Sequence, residues 1–137
     1  MRIQDNLISA RFMTTFGHLT ALLMLFATIE NNIEKSIADN VSSADATTEC
    51  QAALVFGMIC FALDFSGIFF GNSLFIPAMN VMHIMFHAVG SILLSWLITQ
   101  NWGYTTLWPI VACTNLPPAL FELGILFGTL VLKINTR

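Results

Sequence analysis

Residues 52–70 read AALVFGMICFALDFSGIFF, an unbroken apolar run with one carboxylate, Asp64, inside it. At about 1.5 Å of rise per residue, roughly 20 such residues cross a hydrocarbon core of about 30 Å as a helix. A carboxylate within the span opposes insertion by roughly 2.5 to 3.5 kcal/mol, so it is retained for a structural or functional reason. Beyond Asp64 no charged residue occurs until Glu122, which stands inside another apolar run.

Four segments of the chain have this character: 12–29, 52–70, 81–98 and the longer 107–132. None alternates as a lipid-facing strand must. The expected fold is therefore an all-α membrane protein, a single four-transmembrane-helix bundle over residues 1–137. With 56% hydrophobic and 9% charged residues in 137, the chain is unlike a soluble globule, about a quarter of which is charged. The formal net charge of -3 arises from an acidic stretch, and no basic run suggests nucleic acid or a polybasic lipid patch. The first run is long for a signal-peptide core and lacks an A-x-A site after it, so it is expected to remain as an anchor.

The loop 30–51 carries Glu30, Glu34, Asp39, Asp45 and Glu49 against Lys35 alone, shows no apolar period, and is expected to have no core. Arg2 and Arg11 precede the first span and Lys133 and Arg137 follow the last, which predicts cytoplasmic termini and a lumenal or extracellular acidic loop. Asn40-Val41-Ser42 in that loop is an N-glycosylation sequon, with Asn40 the candidate acceptor.

Lipid offers polar side chains no partner, so stripes of polar residues at spacings of three, four and seven should face protein. The stripes run Arg11, Thr14, Thr15, His18; Gly57, Asp64, Gly67, Gly71; Asn80, His83, His87, Ser91, Ser95; and Asn115, Glu122, Thr129. With the predicted topology His18, Asp64 and His87 fall about 9 Å inside the cytoplasmic leaflet, with Glu122 somewhat deeper. These four are expected to form a buried polar layer, with close helix packing at Gly67, Gly71, Gly124 and Gly128.

A hydrogen-bonded clamp is the preferred reading of that layer. The competing reading is a small proton-coupled transporter or channel using the Asp/His/Glu layer, but the outer parts of spans one and three, 21–29 and 92–98, are nearly all apolar. His83 and His87 have the spacing of a zinc pair without an HExxH or a cysteine pair, so no metal or cofactor residue is expected. Cys50, Cys60 and Cys113 are odd in number and lack a CxxC, and they read as packing residues. No G-x-S-x-G elbow occurs, and no activating base accompanies a cysteine, so no enzyme activity is expected. Pro117-Pro118 should interrupt the ladder of the fourth span.

Arg11-Phe12-x-Thr14-x-x-x-His18-Leu19, Phe61-Ala62-x-Asp64-x-x-Gly67-x-x-x-Gly71-x-Ser73-x-Phe75, His87-x-x-x-Ser91-x-x-x-Ser95, Trp102-x-x-Thr105-Thr106-x-Trp108 and Cys113-x-x-Leu116-Pro117, with Glu122 beyond, resemble the transmembrane protein 107 family. The likeness runs from about residue 10 to 133. Asp64 stands where the family pattern has Glu, and the Pro117-Pro118 pair is locally different. The resemblance implies a non-enzymatic component of the ciliary transition zone that helps assemble the Meckel-syndrome module with tectonic and B9-domain partners. It also implies a share in controlling ciliary membrane composition. The lipid bilayer and a second copy of the chain complete the expected partners.

Overall fold

The computed structural model describes residues 2–37, 42–71 and 73–131 as four long helices and one short turn of helix. They are α1 (Arg2–Ile37), α2 (Ser43–Phe70), α3 (Pro77–Thr99) and α4 (Leu107–Leu130), with a 3-10 turn at Tyr104–Thr106 before α4. All four are long and apolar enough to span a membrane. In lipid each backbone N–H and C=O must be satisfied within its own segment, so apolar runs of this length fold as helices.

Helix ends follow from local chemistry. Gly71 ends α2 in the left-handed region at φ 70°, which a residue without Cβ adopts without strain. Pro77 opens α3 at a position where its missing N–H costs no bond. Pro109 lies in the first turn of α4 for the same reason. Pro117 and Pro118 remove two donors from the middle of α4, yet one helix runs through both. The interruption expected of them is thus a local loss of two bonds and leaves the helix continuous.

Each helix packs chiefly on two others: α1 on α2 and α3, and α4 on α2 and α3. Around the bundle the order is therefore α1, α2, α4, α3, with α1 opposite α4 and α2 opposite α3. Between α2 and α3, which stand on a diagonal, Gly71 and residues 73–76 lie at one end of the bundle. This link carries Ser73 into the interior, where it is fully buried.

The acidic segment differs from expectation. Instead of a coreless loop over 30–51, α1 continues to Ile37 and α2 begins at Ser43. Glu30, Glu34, Asp45 and Glu49 face out while Ile33, Ala46 and Cys50 are buried in the core with Tyr104 and Leu107. Ala46, Cys50, Ala53, Leu54 and Gly57 are in fact a helical period of buried residues, which the neighbouring charges conceal. The Asn32 amide seals this end by donating to Leu97 O at 3.0 Å and Trp102 O at 2.8 Å, and Lys35 Nζ donates to Gln100 O at 3.2 Å. Asn40 lies outside the described residues, as do Asp39, Lys133 and Arg137.

Candidate functional site

The half of the bundle that holds the start of α1 and the end of α4 has a polar interior. Arg11, His18, Asp64, Ser73, Asn80, His83 and His87 have no exposed surface, and Glu122 has 3%. Each is delivered by its helix stripe, except Ser73, which the link between α2 and α3 supplies.

Arg11 is the hub. Its Nη1 donates to Ser73 Oγ at 2.9 Å and to Asn80 Oδ1 at 3.0 Å, and its Nη2 donates to Glu122 Oε1. Ser73 Oγ in turn donates to the same Glu122 oxygen, and Asn80 Nδ2 donates to Leu74 O at 2.7 Å, fixing the link. A buried cation and anion each cost several kcal/mol to desolvate, and only close pairing with further hydrogen bonds offsets this. Arg11 and Glu122 have both. The pair spans the α1–α4 diagonal, a distance that only long side chains can bridge.

A second group crosses the other diagonal. Asp64 of α2 faces His87 of α3, with Oδ2 and Nε2 3.3 Å apart, and His83 Nδ1 lies 4.0 Å from Asp64 Oδ1. His83 Nε2 stands 3.3 Å from Glu122 Oε1, which joins the two groups. His18 Nδ1 and His87 Nδ1 share a hydrogen bond of 3.1 Å in which one ring is the donor. Phe61 closes the group toward the apolar half, edge-on to His18 with ring centres 5.0 Å apart and stacked on His87 at 5.5 Å.

His18, Asp64, His87 and Glu122 thus lie in one chain of contacts, linked by Arg11 and His83, stripe residues that were not counted in the expected layer. Arg11 also corrects the tally of cations at the helix tips: it is inside the bundle and neutralises Glu122. Its burial was signalled by its place two turns before His18 on the same face, together with two interior acids that needed a cation. Asn80 was legible as the first residue of its stripe, whereas Ser73 carried no comparable periodic signal, because it enters through the fold of the link.

The glycines divide. A Cβ on Gly67 would fall on the Glu122 carboxyl, and one on Gly90 would fall on the His18 ring. Gly57 is also tight, with Leu22 Cδ2 at 3.0 Å from a built Cβ. Gly71 terminates α2 through its φ and is not a helix-packing residue. Gly124 and Gly128 have nothing within 4 Å of a built Cβ among the described residues, so the expected packing there is not made by this chain's own helices. They lie on the face of α4 that turns away from the other three helices.

A four-span bundle with an ion-paired interior and an apolar exterior (Met13, Phe26, Phe69, Leu130 and others are more than half exposed) defines a multi-pass membrane protein. The chain belongs to the TMEM107 family: the family model, described as a transmembrane protein, matches residues 7–126. It is 28% identical over 132 residues to transmembrane protein 107 of Rattus norvegicus, and 27% identical to that of Homo sapiens over the same length, covering 94% of each chain. The Danio rerio protein of that name is 27% identical over 135 residues, 96% of this chain and 100% of its own. These relatives carry no enzyme name. No solved structure matches the chain.

Proposed function

We propose that the protein is a non-enzymatic membrane component of the ciliary transition zone, needed to assemble and localise Meckel-syndrome module proteins of the tectonic and B9-domain kinds, and so for ciliogenesis and control of ciliary membrane composition. Its termini face the cytoplasm, and its acidic helix ends with Asn40 face the lumen or exterior. Membership of the transmembrane protein 107 family supports the setting.

The observation that carries the assembly role is how the interior polar groups are engaged. Arg11, Ser73, Asn80 and Glu122 bond to one another in one half of the bundle. The other half is filled by Leu22, Leu25, Leu94, Leu97, Leu107 and Val111, each at most 1% exposed. That arrangement favours a clamp over a conducting path, which needs polar groups through the whole thickness. The open α4 face at Gly124 and Gly128 suits a further span, from a partner or a second copy.

A tagged full-length copy in ciliated cells tests the reading. It should concentrate at the cilium base, and removal of tectonic or B9-domain proteins should disperse it. Uniform membrane distribution, or proton flux in liposomes that Glu122→Gln abolishes, would replace the assembly role with transport.

A further inference from the structure

Asp64, His83 and His87 form a group that the ion-pair network leaves unexplained. Each offers a donor atom, all three are buried, and these atoms lie within 4.8 Å of one another. Yet Asp64 Oδ1 and Oδ2, both ring nitrogens of His83, and His87 Nε2 have no hydrogen-bond partner. Arg11 bonds to Glu122, so Asp64 has no Arg or Lys partner among the described residues. Buried polar atoms that converge without a hydrogen bond are costly in an apolar interior, and a bound cation removes that cost.

The separations approach those of ligands around one ion, and a small shift of the rings closes them on it. Nitrogen and oxygen ligands bound at about 2.0–2.2 Å in a tetrahedral site lie roughly 3.3–3.5 Å apart, and wider angles open the spacing toward 4 Å. Asp64 Oδ2 lies 3.3 Å from His87 Nε2 and the other oxygen, Oδ1, 4.0 Å from His83 Nδ1, and the three donor atoms lie within 4.8 Å of one another.

The far side of each ring supplies an independent observation. A ligating imidazole carries its proton on the other nitrogen, which in built sites is held by a carboxylate or another acceptor. His83 turns Nδ1 to Asp64 and has Nε2 3.3 Å from Glu122 Oε1, a close approach without hydrogen-bond alignment. His87 turns Nε2 to Asp64 and places Nδ1 in the hydrogen bond to His18 Nδ1. Both neighbours are themselves fixed, Glu122 by Arg11 and Ser73, and His18 by Phe61 and the space left at Gly90. The histidine pair had no visible third ligand in the sequence because that ligand comes from another helix.

We propose that Asp64, His83 and His87 bind one divalent transition-metal ion, zinc by its fit to a four-coordinate nitrogen and oxygen set, which ties α2 to α3 across the diagonal where the helices do not pack directly. Water or the second Asp64 oxygen completes the coordination. The ion's role is structural, and the site stands whether or not the protein acts at the cilium.

The full-length chain, purified in detergent through a tag without histidine and dialysed against metal-free buffer, is given Zn2+ alone or Co2+ alone. About one Zn2+ per chain should be retained, and Co2+ should give visible d–d bands without thiolate charge transfer. His87→Ala and Asp64→Asn should weaken binding at least about tenfold, while Cys113→Ala leaves it unchanged. If either variant fails to fold, the wild-type cobalt spectrum decides. A wild-type chain that keeps no Zn2+ and shows no cobalt bands overturns the proposal, as do bands with thiolate character or binding lost in Cys113→Ala.

Discussion

The two halves of this bundle are built from the same four helices but hold them together differently. In one half, leucines from α1, α3 and α4 meet with almost no exposed surface. In the other, Arg11, Ser73, Asn80 and Glu122 make directional bonds, and three histidines and Asp64 lie in contact. Lipid is as apolar as leucine, so the leucine half gains mainly from dispersion and close fit. Such contacts tolerate rearrangement, whereas a buried ion pair accepts only its partner. The comparison teaches that the polar half decides which helices stand opposite one another and the apolar half fills the arrangement so chosen.

The sharpest way to break that division is Glu122→Ala, which leaves the Arg11 cation buried without its anion. Unfolding of the purified chain in bicelles should show a loss of about 3–5 kcal/mol, and Arg11→Met combined with Glu122→Leu should recover most of it. Equal losses in the single and double variants would mean that the pair does not organise its half.

In the apolar half, Leu97→Ala should cost about 2–3 kcal/mol in the same measurement, through the cavity it leaves. Close approach comes next. Gly67→Ala and Gly90→Ala should each cost about 1–2 kcal/mol, because their new methyl groups meet the Glu122 carboxyl and the His18 ring. Gly124→Ala should stay within about 0.5 kcal/mol, since among the described residues it meets nothing within 4 Å. A large loss there in the isolated chain would point to a contact between copies.

At the far end, Asn32→Leu deletes the two bonds to Leu97 O and Trp102 O and should cost about 1 kcal/mol. Hydrogen exchange should then rise at Gly103 and its neighbours while the histidine region is unchanged. Faster exchange throughout would show that the halves are not independent.

Much of this was legible in the residues. The four spans follow from apolar length, and the stripes carrying His18, Asp64, His87 and Glu122 follow from helical periodicity. Two kinds of feature were hidden. Charges at Glu30, Glu34, Asp45 and Glu49 masked the buried row of Ile33, Ala46 and Cys50, because a helix that outruns the membrane shows a polar face to water and an apolar one to its neighbour. Arg11 looked like a tip charge because its distance from Glu122 along the chain is 111 residues, and no local pattern encodes so remote a partner.

The sequence by itself determined that this chain lies in a membrane as four helices and that each helix has a polar face. Backbone hydrogen bonding in an apolar solvent leaves no other choice. Only the tertiary structure decided that α1 stands opposite α4 and α2 opposite α3, that Ser73 from the link between α2 and α3 is buried in the interior, and that Asp64 meets two histidines of another helix. Those outcomes depend on helix order and rotation, set by the pairing of a few buried groups across the diagonals.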